Sequence, residues 1–210
     1  MPDDGSEVRL RIRVWLPDRP GALGLVASRI GSLGADIVGI DVLERGEQVA
    51  VDEFSVVLAD AALVDLLVRE IGEVDGAKVE QFVEVDAFGD PRLDALTTVE
   101  ALIGTTDPDQ TLADSVATEF GADWAAIIRD EAVAATAGAP PEAANLVALA
   151  VGTSASPLVA LGHRGPDDLL VAPIGADASL LVGRSSPPFR ARERQQLLAL
   201  GRIVARLAAH

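Results

Sequence analysis

The chain predicts an α+β fold in two parts, and three observations carry that prediction. Residues 8–85 alternate short strand patterns with two helical ones. Turn formers then cluster at Asp86-Ala87-Phe88-Gly89-Asp90-Pro91. From Arg92 onward the texture changes to helix, helix, strands and a closing helix. The boundaries that follow are 1–88 for the first domain and 92–210 for the second, each with its own apolar elements.

The first strand is the clearest. Val8, Leu10, Ile12 and Val14 alternate with Arg9, Arg11 and Arg13, so one face is apolar and the other basic. A loop, Leu16-Pro17-Asp18-Arg19-Pro20-Gly21, leads into a helix carried by Leu23, Val26, Ala27, Ile30 and Leu33, with Gly34 placed for a left-handed close. Pro20, with its fixed φ and no N–H, suits the first helical turn. Val38, Ile40 and Val42 give the second strand; after the turn Glu44-Arg45-Gly46-Glu47, Ala50, Phe54, Val56 and Leu58 give the third. Asp60 is placed as the N-cap of a second helix ended by Gly72. Val79, Val83 and Val85 form the last strand, with Lys78, Glu80 and Glu84 on its other face. The order β-α-β-β-α-β is the ferredoxin-like arrangement, in which the first strand lies between the third and the fourth. The three arginines then face Glu80 and Glu84 on one flank and Asp52 or Glu53 on the other, as a solvated, paired stripe.

The Asp18–Leu23 stretch is the candidate site. A helix N-terminus offers unpaired N–H groups and the positive end of the dipole, and Gly21 lets another molecule come close. Those groups suit a small anion or zwitterion.

Asp18-Arg19-Pro20-Gly21-Ala22-Leu23 followed, after one helix, by Gly34-Ala35-Asp36-Ile37 resembles the ACT-domain signature, D-R-P-G-x-L and then G-x-N-I. The resemblance covers roughly residues 7–86 and includes the element order. It implies a regulatory module that binds an amino acid or similar metabolite, with part of the site often contributed by a partner subunit. Carried over by position, the site residues are Asp18, Gly21, Ala22, Leu23 and Asp36. Asp36 stands where the family form has Asn, and it accepts from an ammonium but cannot donate to a carboxylate unless protonated. A homodimer through this domain is expected, because the helix-start site needs walls on more than one side and the open sheet edge leaves hydrogen-bonding groups for a two-fold partner.

In the second part, Leu93 to Ile103 and Asp107 or Asp109 through Phe120 read as helices. Trp124 to Ile128 and Val133 to Thr136 read as strands joined at Arg129-Asp130-Glu131, and Glu142 to Ala150 as a helix. Pro157 to Leu161, Leu169 to Ile174 and Leu180 to Val182 read as strands. Phe189 to Ala209 is an arginine-rich helix with Leu197, Leu200, Val204 and Leu207 on one side. The order, with Ala122 to Ile128 and the pair Leu169 to Ile174 and Leu180 to Arg184, resembles a small GAF-type α/β domain. That implies sensing of a small ligand or partner, here without a cysteine for a tetrapyrrole.

Composition removes several functions. With 33 acidic and 17 basic residues the net charge is −16, which opposes nucleic-acid binding. There is no cysteine, so thiolate nucleophiles, thiolate metal sites and disulfides are out. No apolar run approaches the ~20 residues of a membrane span, and the acidic start is unlike a leader, which gives the expectation of a cytoplasmic protein. His163, in Gly162-His163-Arg164-Gly165 with Ser154, Ser156 and Asp167 nearby, reads as a turn residue rather than a catalytic base. Neither a cofactor nor a metal is expected. The expected function is a non-enzymatic regulator that binds an amino acid through the first domain and signals through the second; the alternative is an allosteric subunit of an amino-acid enzyme whose catalytic chain is separate.

Overall fold

The computed structural model describes residues 7–46, 48–154 and 167–208. It is a mixed α+β chain in which the described residues form two four-stranded antiparallel sheets and six α-helices. The chain divides into two compact units at Phe88/Gly89. The strand expected over Pro157 to Leu161, with Glu47, Ser156 and His163, lies outside the described residues.

In the first unit the elements are β1 (Val8–Pro17), α1 (Ala22–Ser32), β2 (Asp36–Arg45), β3 (Val49–Leu58), a 3-10 turn (Ala61–Leu63), α2 (Val64–Gly72) and β4 (Lys78–Glu84). The sheet order is β2-β3-β1-β4, as two split crossovers require. The even-numbered residues of β1 and β3 point to the helical face. There Ile12, Val14, Phe54 and Val56 pack with Val26 and Ile30 of α1 and Leu67 and Ile71 of α2, all essentially inaccessible to water. Asp60 accepts from the Ala62 N–H at 2.8 Å and so caps the 3-10 turn that runs into α2. Gly34 closes α1 with φ 71°.

Three expectations change. Val38, Ile40 and Val42 alternate as read, but β2 is an edge strand and leaves them 53%, 39% and 43% exposed. A bulge between Arg13 and Val14 shifts β4, so Val83 rather than Glu84 stands opposite Arg11, and Glu84 stands opposite Leu10. The arginine stripe is also not uniformly wet. Arg13 is buried and its Nε donates to Glu53 Oε2 at 2.6 Å, the opposite residue on β3, while the Trp15 indole N–H donates to Glu80 at 3.0 Å.

In the second unit α3 (Pro91–Gly104) and α4 (Pro108–Glu119) each begin with an aspartate cap and a proline in the first turn. Asp90 accepts from Arg92 N–H and Asp107 from Gln110 N–H. β5 (Trp124–Arg129), β6 (Ala132–Gly138), α5 (Ala143–Ser154), β7 (Leu169–Gly175), β8 (Ala178–Gly183) and α6 (Ala191–Leu207) follow, and the sheet order is β6-β5-β8-β7. Both faces of this sheet are covered. Ala125, Ile127, Leu180 and Val182 pack against α4 and α6, while Ala126, Ile128 and Leu181 pack against Leu146 and Ala150 of α5. That explains why β5 and β8 read as continuous apolar runs. Leu197, Leu200 and Val204 of α6 are buried as expected, but Leu207, in the last helical turn, is 40% exposed.

Candidate functional site

The loop after β1 is built by its backbone. Asp18 N–H donates to Gln48 O at 2.9 Å, which ties the loop to the start of β3. Arg19-Pro20-Gly21-Ala22 then closes a turn, with Ala22 N–H on Arg19 O at 3.3 Å. Gly21, at φ 90° and ψ −17°, takes the third position of a type II turn, where a residue with a Cβ is strained, and Pro20 takes the second. Pro20 therefore precedes α1 instead of lying in its first turn. The helix cannot begin until after a residue of positive φ.

Among the described residues no side chain caps α1. Gly21 O accepts from Leu25 N–H at 3.0 Å, and Ala22 N–H is used by the turn. The N–H groups of Leu23 and Gly24 have no acceptor among the described residues. They form the unclaimed positive end of the helix. Leu23, expected in the core, is 38% exposed, and a Cβ placed on Gly21 would meet nothing within 4 Å.

Charged groups surround this mouth. Arg45, at the end of β2, donates through Nη2 to Asp18 Oδ1 at 2.6 Å, and that bond raises the guanidinium pKa further. One row deeper on the helical face of β3 is Asp52, opposite Val14 of β1 and Val42 of β2. It is 5% exposed and its Oδ1 has no hydrogen-bond partner among the described residues. Burial pushes its carboxyl up from the ordinary aspartate value; Arg45 opposes that shift and Asp18 adds to it.

Of the residues singled out from sequence, Asp18, Gly21, Ala22 and Leu23 stand together. Asp36 does not join them within one chain. It begins β2 opposite Val57, whereas Asp18 is held at Gln48, about nine residues away along β3, or roughly 30 Å. Arg45 and Asp52 were missed. The signal for Asp52 was present: in the series Ala50, Asp52, Phe54, Val56, Leu58 a carboxylate occupies an inward position of a period-two pattern.

Among the described residues of the second unit are two concavities. One, about 510 Å³, has Asp130, Glu131 and Asp177 on its wall. The other, about 490 Å³, is lined by residues that include Trp124, Leu149, Arg184 and Ser185. At the latter, Asp123 accepts from both the N–H and the hydroxyl of Ser185, which lowers its pKa. Arg184 is buried, donating to Glu193 at 2.8 Å and to Phe120 O at 2.6 Å, with the Phe189 ring centroid 4.0 Å from its guanidinium carbon.

No protein-family model matches the chain, and no curated protein matches it. Among solved structures it is similar to an uncharacterized protein from Thermotoga maritima at 18% identity and TM-score 0.32, over 39% of this chain and 100% of that one. It is similar to the ACT domain from the GTP pyrophosphokinase of Chlorobium tepidum at 13% identity and TM-score 0.31, over 40% of this chain and 92% of that one. A third is gliding protein MglB from Thermus thermophilus, at 21% identity and TM-score 0.34, over 59% of this chain and 94% of that one.

Proposed function

We propose that the first unit is an ACT-type module that binds an amino acid or similar small zwitterion, and that the protein is a non-enzymatic regulator whose GAF-like second unit carries the output. The observation that carries this reading is the pair of N–H groups on Leu23 and Gly24 that have no acceptor among the described residues, at the start of the helix that follows the Asp18 loop. A ligand carboxylate there meets fixed donors and the helix dipole at once. Exposed Leu23 supplies an apolar contact for the ligand's side chain.

The same reading includes a homodimer through this unit. The edge strand β2 shows Val38, Ile40 and Val42 to water, which supports burial against a second copy. Asp36, at the start of that strand, then serves the site of a neighbouring copy rather than its own.

A thermal-shift screen of the twenty amino acids tests the reading. A binder at ~100 times its dissociation constant adds about 2.7 kcal/mol of stability. No stabilisation by any of them rejects the amino-acid reading, and a monomer in light scattering at working concentration rejects the dimer.

A further inference from the structure

Three carboxylates were open to a ligand ammonium, and the geometry separates them. Asp36 lies roughly 30 Å from the mouth along β3. Asp18 already accepts from Arg45 at 2.6 Å. Asp52 alone brings a carboxyl oxygen that is shut off from water and takes no hydrogen bond from the described residues. We propose that Asp52, reaching the mouth of the α1 loop from the helical face of β3, receives the ligand's ammonium, so that the site selects compounds with a protonated primary amine beside a carboxylate. This rests on the amino-acid reading above and names the group that gives it chemical selectivity.

The position argues for a ligand role because the fold gains nothing from a carboxylate there. Its neighbours along β3 on that face, Ala50 and Phe54, are buried, and Val14 is fully buried across the strand pair. A valine or leucine would extend the core, whereas a buried carboxylate without a donor is costly. An ammonium brings the missing charge and up to three donors. The α1 N–H groups and Asp52 then address the two ends of one zwitterion. Arg45 from β2 and Asp18 from the loop are the charged groups facing Asp52; the opposed positions on β1 and β2 are valines. The raised carboxyl pKa agrees with a site that waits for a cation.

The experiment uses the full chain, the twenty amino acids as probes, and acetate and methylamine as the two halves of glycine. Any amino acid that stabilises the wild type is then titrated by calorimetry into wild type and Asp52→Asn at pH 7. A tenfold or greater loss of affinity in the variant, with neither acetate nor methylamine binding as the amino acid does, is the expected result. A smaller loss overturns the Asp52 assignment and leaves amino-acid binding standing; no stabilisation of the wild type overturns both. Should Asp52→Asn fail to fold, Asp52→Ser is titrated in its place under the same tenfold criterion: a loss at least that large supports the assignment, and a smaller one overturns it.

Discussion

Replacing Gly21 with alanine separates the backbone of the site from its chemistry. Gly21 has φ 90°, and nothing lies within 4 Å of where its Cβ would sit. The cost therefore comes from the left-handed backbone alone, about 1–2 kcal/mol. The lower entropy of the unfolded alanine chain offsets ~0.4–1 kcal/mol of this. A net loss of about 1 kcal/mol remains, or ~4–8 °C for a unit of this size. Gly24→Ala is the internal control: it also meets nothing within 4 Å but lies inside α1, where alanine favours the helix by up to ~1 kcal/mol, so its shift has the opposite sign. The two tryptophans, Trp15 and Trp124, fall one in each unit, so Trp15 fluorescence in a Trp124→Phe background reports urea unfolding of the first unit. Equal or greater stability of Gly21→Ala would refute the turn geometry. Gly21→Val, with a β-branched side chain at the same φ, loses more, and any loss of binding in it must be corrected for that destabilisation.

Further outcomes follow from the second unit and from burial. A Cβ on Gly183 would collide with the Trp124 indole, so Gly183→Ala displaces the ring, changes the near-UV circular dichroism and costs about 1–3 kcal/mol. Glu193→Ala removes the carboxylate that accepts from the buried Arg184 guanidinium at 2.8 Å and costs about 3–5 kcal/mol in chemical denaturation, whereas an exposed pair such as Arg9–Glu7 changes little when broken. Burial holds the Glu119 carboxyl above its ordinary value near 4.5, against the lowering effect of its hydrogen bonds from Gln196 and Thr98. The folded state therefore binds more protons than the unfolded state in that window, and stability falls as pH rises from about 4.5 through the folded value. Glu119→Gln removes that slope: relative to wild type it gains stability at pH 7 and not at pH 4.

The secondary structure was legible wherever one face of an element is buried. β1 alternates because only its even residues meet the helices, and α1 repeats because Val26 and Ile30 do. Edge elements were harder. An exposed apolar residue on β2 has the same letter as a buried one, and the bulge in β4 moves every side chain beyond it to the other face without a mark in the composition. The loop's residues were found because Pro20 and Gly21 have few backbone options. Its distances were not: whether Asp36 meets Asp18 depends on the length of β3 between them, and Arg45 reaches Asp18 only because the β2–β3 hairpin returns beside the end of β1. Of the two residues offered as partners of the arginine stripe, Glu53 stands opposite Arg13 while Asp52 stands opposite Val14 on the buried face, as its place in an inward-facing series requires against the usual exposure of acidic residues.

In the proposed complex the start of α1 receives a ligand carboxylate on the N–H groups of Leu23 and Gly24. Heteronuclear NMR of the ¹⁵N-labelled chain, titrated with the amino acid that most stabilises it, reads those two protons directly. Saturable downfield shifts of the Leu23 and Gly24 amides are expected, larger than that of Ala22, whose N–H is held by the Arg19 carbonyl. Saturation of binding with the Leu23 and Gly24 amides unmoved would contradict it.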